Sequence, residues 1–394
     1  MKVRVVSPWY PDYASPHSGI FVAQQVTALK QAGYDISVEV PQIFPAPPGI
    51  IPAGVTSAMR SLAAQSIGAM FPTNGQTTYI PTPVPTRGGP LGRARAMACS
   101  MGILREFRDD SADLVHAHLG LPTAWATSET SPQLPLVVTE HWSNLEAVLA
   151  DPAAAAAYTD VLRKADAFIT VSGHLREQIV NALGDWALER IVTVPNIVDL
   201  REIPFRDRGR FEFGSWIYVG GLMEHKGVQT LLRVFSDYTS RHDPTARLTL
   251  VGEGPLRPWI EMFSASRGLA DSVSLAGPVA HSNLGGLLDE ADVMVHLSPF
   301  ETFGIASLEG IGAGMPVISL DNPGAREAWG DIQHLCGVML KVDSQPHEIA
   351  DTVAALREAP QRMRLAQARR VLEERYAPDV IARRLSEVYE AVLT

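Results

Sequence analysis

Cysteine is nearly absent, with only Cys99 and Cys336 among 394 residues. Two thiols so far apart in sequence exclude a disulfide framework and a thiolate metal cluster, so two buried thiols in a reducing cytoplasm are expected. No stretch approaches the roughly 18 continuous apolar residues of a membrane span. The first residues, Met1 to Ser7, read as a short buried strand and lack the apolar core and small-residue cleavage site of a signal peptide. A soluble, cytoplasmic protein is expected. Positive charge is also in deficit, with 33 Lys and Arg against 43 Asp and Glu and a formal net charge of −10. That balance argues against nucleic acid, which requires a basic footprint, and leaves at most peripheral contact with an anionic membrane. There is no Asp-x-Asp pair and no histidine-cysteine cluster, so no metal site is expected. The three spaced glycines of a dinucleotide fingerprint are missing after the first strand, which argues against a nicotinamide enzyme.

What is present is a long, ordinarily hydrophobic chain, 46% apolar and 19% charged, which exceeds what one core usually organises. β-Branched runs at 2–7, 34–40, 113–117, 135–139, 167–171 and 191–194 alternate with helix-like segments at 19–32, 93–108, 119–130 and 173–183. Strands alternating with helices predict a parallel sheet covered on both faces. The pattern then begins again, with strands at 215–219, 247–251, 272–275, 293–296 and 316–319 and helices at 226–239, 256–267, 281–289 and 305–313. Residues 200–213, with four arginines and few apolar side chains, read as the linker between two doubly wound α/β domains. Residues 41–92 are rich in proline and glycine and show little periodicity beyond a helix at 56–70. A loop of this length inside a compact domain is either functional or partly mobile.

The segment from Ser298 to Gly310 follows a predicted strand and opens a predicted helix. The backbone amides of Phe303, Gly304 and Ile305 would then point from a helix start, where orphan donors and the helix dipole favour a diphosphate. Glu301 lies in the loop and Glu309 about a turn and a half into the helix. A carboxylate can accept bonds from two adjacent hydroxyls, which suits Glu309 to a ribose diol and Glu301 to a sugar ring. The plain alternative is a helix cap and a solvated surface glutamate. Gly310, Gly312 and Gly314 weigh against it, because a surface helix does not need such tight backbone packing.

Two glutamates separated by seven residues, with Phe303-Gly304 between them and Ala313-Gly314-Met315-Pro316-Val317 following, resemble the signature of the retaining GT-B glycosyltransferases of family 4. Tyr218-Val219-Gly220-Gly221-Leu222 with Lys226-Gly227, and Val251-Gly252-Glu253-Gly254-Pro255-Leu256, extend the resemblance over most of 215–328. It implies a GT-B fold, two Rossmann-like domains facing each other across a cleft. The expected organisation is an acceptor domain at 1–199 plus a crossover helix at 377–394, the linker at 200–213, and a donor domain at 214–376. By the same resemblance Lys226 neutralises the donor diphosphate, Glu309 binds the ribose, and Glu301 contacts the sugar. Gly221 and Glu253 border the donor. Gly221 departs from the family, which often has an arginine there, and Arg326 is a possible substitute cation.

In the first half, His17-Ser18-Gly19-Ile20-Phe21 follows the first strand and resembles the family's phosphate-approaching loop, with Gly19 as the candidate. His116-Ala117-His118 and Thr139-Glu140-His141-Trp142 each end a predicted strand, the edge where α/β sheets bind ligands. The resemblance singles out His141, close to the donor sugar. His118 and Glu140 are acceptor-side candidates, while His116 is read as structural, its side chain alternating away from that of His118. Val194-Pro195-Asn196-Ile197-Val198-Asp199 resembles the family's turn before the linker.

The resemblance therefore implies a retaining, metal-independent hexosyl transfer in which the departing phosphate takes the acceptor's proton and domain closure assembles the site. The nucleotide-sugar, UDP-linked before GDP-linked, is a substrate, and no cofactor is expected. With only Arg60 and Arg87 as cations in 41–92, a soluble acceptor is favoured: a sugar, aminocyclitol, secondary metabolite or glycan intermediate. A monomer or homodimer is expected. The alternatives are a non-catalytic sugar-nucleotide binder or pseudo-glycosyltransferase of the same fold, an oxidoreductase, and a sugar-nucleotide epimerase.

Overall fold

The computed structural model describes residues 1–12, 15–46, 52–84, 89–108, 111–207, 212–358 and 363–394. The chain divides into two compact units: Met1–Pro11, Gly19–Pro195 and Ile381–Thr394 form the first, and Asp12–Ser18 with Asn196–Val380 the second. Among the described residues no helix is long and apolar enough to cross a membrane.

The first unit holds an eight-stranded sheet of β1 (Lys2–Val6), β2 (Asp35–Pro45), β3 (Thr73–Asn74), β4 (Thr77–Val84), β5 (Leu114–His118), β6 (Leu136–Glu140), β7 (Ala167–Thr170) and β8 (Ile191–Thr193). Their order is β3-β4-β2-β1-β5-β6-β7-β8, parallel throughout except for the β3–β4 hairpin. The order reverses at β1, which places the loops after β1, β5 and β6 at a topological switch point. Local chemistry starts the helices: Asp151 accepts from the amides of Ala153 and Ala154 ahead of helix Pro152–Lys164, and Ser172 accepts from Leu175 ahead of helix Gly173–Leu183. Ile381, Ala382, Leu385 and Tyr389 of the terminal helix Pro378–Leu393 are buried.

Residues 41–92 are more ordered than their composition predicts. β2 runs on to Pro45, helices span Pro52–Gln65 and Ile67–Met70, and β4 joins the sheet. Residues 47–51 and 85–88 lie outside the described residues. β4 tolerates Pro81 and Pro83 because of its place near the sheet edge. Tyr79 donates to Pro72, so odd-numbered positions turn their nitrogens away from β2 and a missing N–H there costs no ladder bond. Pro41 of β2 likewise faces β1 beyond the last paired residue, Val6.

The second unit is a six-stranded parallel sheet of β9 (Ser215–Val219), β10 (Arg247–Val251), β11 (Val273–Gly277), β12 (Val293–His296), β13 (Val317–Leu320) and β14 (Gly337–Leu340), ordered β11-β10-β9-β12-β13-β14. Alternation along β9 splits its side chains between the two faces: Ile217 joins one apolar cluster, and Trp216 and Tyr218 join the other. Both faces are buried, as a parallel sheet requires.

The segment 200–207, read from its arginines as a linker, packs into this second unit. Leu200 and Ile203 belong to its core, and a Cβ at Gly312 would stand 2.4 Å from the Leu200 side chain. Residues 208–211 lie outside the described residues. Arg369, from helix Leu365–Tyr376, closes the arrangement by donating to the carbonyls of Leu200, Ile203 and Gly312 at 2.8–2.9 Å. One guanidinium thereby ties the crossover segment to the end of helix Ile305–Gly312. Arg369→Met should lower unfolding stability by about 1–3 kcal/mol, the cost of stranding buried carbonyls, as read by urea denaturation; a change within roughly 0.5 kcal/mol would show the tie to be dispensable.

Candidate functional site

In the second unit the loops after β9, β12 and β13 converge on one ion pair. A short turn, Glu224–Lys226, follows β9, and Gly227 then starts helix Val228–Arg241 with φ of 71°. A Cβ on Gly227 would fall 1.8 Å from the Leu297 carbonyl oxygen, so the turn lies directly on the strand β12 exit. Gly324 performs the same service for the next loop, since a Cβ there would fall 2.1 Å from the Glu301 carbonyl oxygen. The result is that Lys226 Nζ donates to both carboxylate oxygens of Glu301, at 2.9 and 3.0 Å.

Glu301 is 8% exposed. Burial alone would raise its pKa, yet Lys226, His296 and hydrogen bonds from Lys226 and Ser298 together hold it below the usual carboxylate value. His296, at the end of β12, sits with Nε2 3.9 Å from Glu301 and stacks on Tyr218 at 5.4 Å. Its pKa is lowered, chiefly by burial.

Glu309 is buried too, on helix Ile305–Gly312, which opens at Gly304 in the left-handed conformation with φ of 84°. It is not a solvated surface residue. His281, the first residue of helix His281–Glu290, places Nε2 2.8 Å from Glu309 Oε1. That hydrogen bond raises the His281 pKa; burial opposes it, and the charges of Glu309, Asp199 and Glu202 add to the rise.

The remaining donor-side candidates separate. Phe303 buries its ring edge-on against Tyr376, leaving only its amide as a candidate, beside Gly304 and Ile305 at the helix start. Glu253 exposes its side chain beside Arg257; what it gives the site is a carbonyl that accepts from Leu222. At Gly221 a Cβ would meet Met223 at an ordinary 3.6 Å, so the backbone admits a side chain that this sequence does not supply. Arg326, the possible substitute, is exposed and engaged with Asp321 at 2.8 Å.

In the first unit the strand-end histidines form a stack. His141 Nε2 and His118 Nδ1 share a proton at 2.9 Å, and the His118 ring lies 4.5 Å from that of His116. His116 in turn bonds Tyr389 Oη and Thr139 Oγ1, each at 2.7 Å. The expectation that His116 turns away from His118 is corrected: residues two apart on a strand share a face. Burial holds the His116 and His141 pKa values down at about 3, and that of His118 well below its usual value with help from its two neighbours. All three are neutral imidazoles. The His141 ring also contacts Phe21 at 4.5 Å, and its buried Nδ1 has no hydrogen-bond partner among the described residues.

Glu140 does not face outward toward an acceptor. Its carboxylate accepts from the amides of Gly120, His141 and Trp142 and from Tyr158 Oη, all at 2.8–2.9 Å. Four donors in a buried pocket make it the anchor of the loops carrying His118 and His141. Gly19, with φ of 61°, caps helix Ile20–Gln31 and brings its α-carbon against the Trp9 carbonyl, where a Cβ would come within 2.1 Å.

His281 and His296 were not among the sequence candidates. The strand-end rule that selects His118 and His141 points equally to His296. For His281 no linear signal exists, because its partner is 28 residues away.

The family model described as glycosyl transferases group 1 matches residues 213–371, and that of glycosyltransferase family 4 matches residues 18–202. The chain belongs to these glycosyltransferases. This glycosyltransferase is 27% identical to the glycogen synthase of Mycobacterium tuberculosis (strain ATCC 25618 / H37Rv), over 99% of its own length and 95% of that protein. It is 25% identical to the α-D-kanosaminyltransferase of Streptomyces kanamyceticus, over 58% and 61% of the two chains. Among solved structures, sucrose-phosphate synthase from Thermosynechococcus elongatus superposes with a TM-score of 0.75 at 17% identity, over 99% and 98% of the chains. Anabaena HepE in complex with UDP and glucose gives 0.70 at 17%, over 99% and 100%. These likenesses establish the fold as GT-B.

Two outcomes follow from the geometry. Gly324→Ala forces the Glu301 loop away, so stability should drop by about 1–3 kcal/mol on denaturant titration. The buried histidines set an acid limit: the unfolded chain protonates them from pH 6.5 downward, while folded His116 and His141 resist to about pH 3. Stability should therefore fall as pH drops through that window, by at most about 1.4 kcal/mol per pH unit for each ring. His116→Gln should flatten the slope; an unchanged slope would assign the acid lability to other groups.

Proposed function

We propose that this glycosyltransferase moves a hexosyl group from a nucleotide-sugar, a UDP-sugar before a GDP-sugar, to a hydroxyl of a sugar, aminocyclitol, secondary metabolite or glycan, in the cytoplasm, with retention and without metal or cofactor. The observation that carries this reading is the pairing of Lys226 with Glu301 in the second unit, where Glu309 is held by His281 on the helix that opens at Gly304. A cation, amides at a helix start and a fixed carboxylate are what a diphosphate, a ribose and a sugar ring together require.

In this reading Lys226 and the amides of Phe303, Gly304 and Ile305 take the diphosphate and stabilise it as it leaves. Protonated His281 holds Glu309 Oε1, and Oε2 receives the ribose hydroxyls. Glu301, kept ionised by Lys226, accepts hydroxyls of the transferred sugar and has no proton to give. The departing phosphate therefore takes the acceptor's proton on the face it leaves, which retains the anomeric configuration. His141 serves transfer rather than nucleotide binding.

Support for a UDP-sugar comes from solved neighbours whose complexes contain UDP with glucose, in Anabaena HepE, and UDP with GlcNAc, in the pneumococcal O-GlcNAc transferase GtfA. Retention is supported by relatives named for α-linked sugars, the α-D-kanosaminyltransferase and the N-acetyl-α-D-glucosaminyl L-malate synthase of Bacillus anthracis. Their acceptors differ, which is why the acceptor is stated only as a class.

Thermal-shift screening of UDP, GDP, ADP and dTDP with their sugars should give the largest stabilisation for the UDP series. Glu309→Gln should weaken nucleotide binding by roughly tenfold or more, and His141→Ala should lower kcat more than it raises KM. Unaltered binding and turnover in both variants would overturn the assignment.

A further inference from the structure

A titratable ring with no part in the transfer described above stands beside the Lys226–Glu301 pair. His296 ends β12 and is 4% exposed. Its Nε2 approaches Glu301 Oε1, the same oxygen that Lys226 Nζ meets at 2.9 Å, but stops 3.9 Å away, too far for a hydrogen bond. One face of the ring lies along Tyr218, with centroids 5.4 Å and planes 17° apart. The ring is thereby held next to the carboxylate, one short step from bonding it.

Lys226 has two anions to serve. An ammonium carries three protons, and Nζ already donates to both Glu301 oxygens, at 2.9 and 3.0 Å. A diphosphate that draws Lys226 toward itself loosens that grip. A buried carboxylate whose counter-charge weakens either gains another or takes up a proton. The other titratable groups that act on Glu301 are Tyr218, His225 and His296. Burial and the Glu301 charge raise the Tyr218 pKa, so its hydroxyl stays neutral. His225 is exposed on the turn with Lys226, where water screens its charge. Burial, the largest influence, keeps His296 neutral, while Glu301 favours a proton there and Lys226 opposes it. A Lys226 occupied by a diphosphate no longer opposes that proton, because the added negative charge cancels its own.

We propose that His296 is a positioning residue for Glu301: when the donor's diphosphate takes Lys226, His296 gains a proton on Nε2 and closes on Glu301 Oε1, holding the carboxylate ionised and in place for the sugar hydroxyls. The movement required is about 1 Å, from 3.9 Å to the length of a charge-assisted hydrogen bond. The proton comes from solvent and returns to it when the nucleotide leaves. His296 acts through Glu301 and does not itself meet the substrate. This inference rests on the donor reading above, in which Lys226 takes the diphosphate.

The test is isothermal titration of the full chain with UDP, and with GDP in parallel, at neutral pH in buffers of different ionisation enthalpy, which reads the protons exchanged on binding. The comparison is with His296→Phe, which keeps a ring against Tyr218 and cannot take a proton. Subtracting the two cancels the titration of the nucleotide itself. Wild type should take up more protons than His296→Phe, by a difference approaching about one per nucleotide bound. Should His296→Phe fail to fold, His296→Gln, which can hydrogen-bond but does not titrate, should show the same loss. Nucleotide binding with equal proton uptake in wild type and variant would overturn the role of His296 and leave the donor reading standing. Failure of both nucleotides to bind wild type would overturn the donor reading and this inference with it.

Discussion

Close backbone approach is the constraint on which the second unit's site depends. Lys226 and Glu301 are 75 residues apart, and they meet because two glycines let their loops touch strand and loop carbonyls at distances no Cβ would permit. Gly227 lies on Leu297 and Gly324 on Glu301. Each glycine gives up a side chain that could pack, and what it gains is position: three loops at the carboxyl ends of β9, β12 and β13 are locked at one depth. The ion pair is then a consequence of backbone geometry rather than its cause, since the pair alone would not overcome the cost of desolvating both charges.

The strand-end clusters of the two units treat buried polarity in opposite ways. In the second, charges are kept and paired: Glu301 with Lys226, Glu309 with His281. Each carboxylate is oriented by the partner that holds it. In the first, the stacked histidines are buried so fully that they stay neutral, and the terminal helix takes part through Tyr389, 273 residues from its partner His116. Glu140 bridges the two strategies, a lone carboxylate kept by four donors whose task is to hold loops. It is 1% exposed, and that burial raises its pKa even so.

Much of the fold was legible because hydrophobic periodicity is a local property. The strand and helix alternation appeared twice, and the Glu301 to Glu309 segment read correctly as strand, loop and helix because Phe303-Gly304 and the glycines around it have few other uses. The errors were local signals read without their surroundings. Proline suppressed β4, although an edge position removes proline's cost. Arginine made 200–207 look like a linker, although Leu200 and Ile203 carry it into the core and Arg369 ties it there. Glu140 read as an acceptor-side candidate because nothing in its neighbours announces Gly120 or Tyr158.

The sequence by itself determined the class: two α/β units, and a strand-loop-helix segment whose glutamate pair resembles a glycosyltransferase signature. These follow from side-chain period and from residues close together in the chain. Only the tertiary structure decided the partners. His281 on Glu309, Lys226 on Glu301 and Tyr389 on His116 are set by strand order and register. Parallel strands joined by crossovers bring residues together without regard to their separation in the chain, so no spacing in the sequence encodes those contacts.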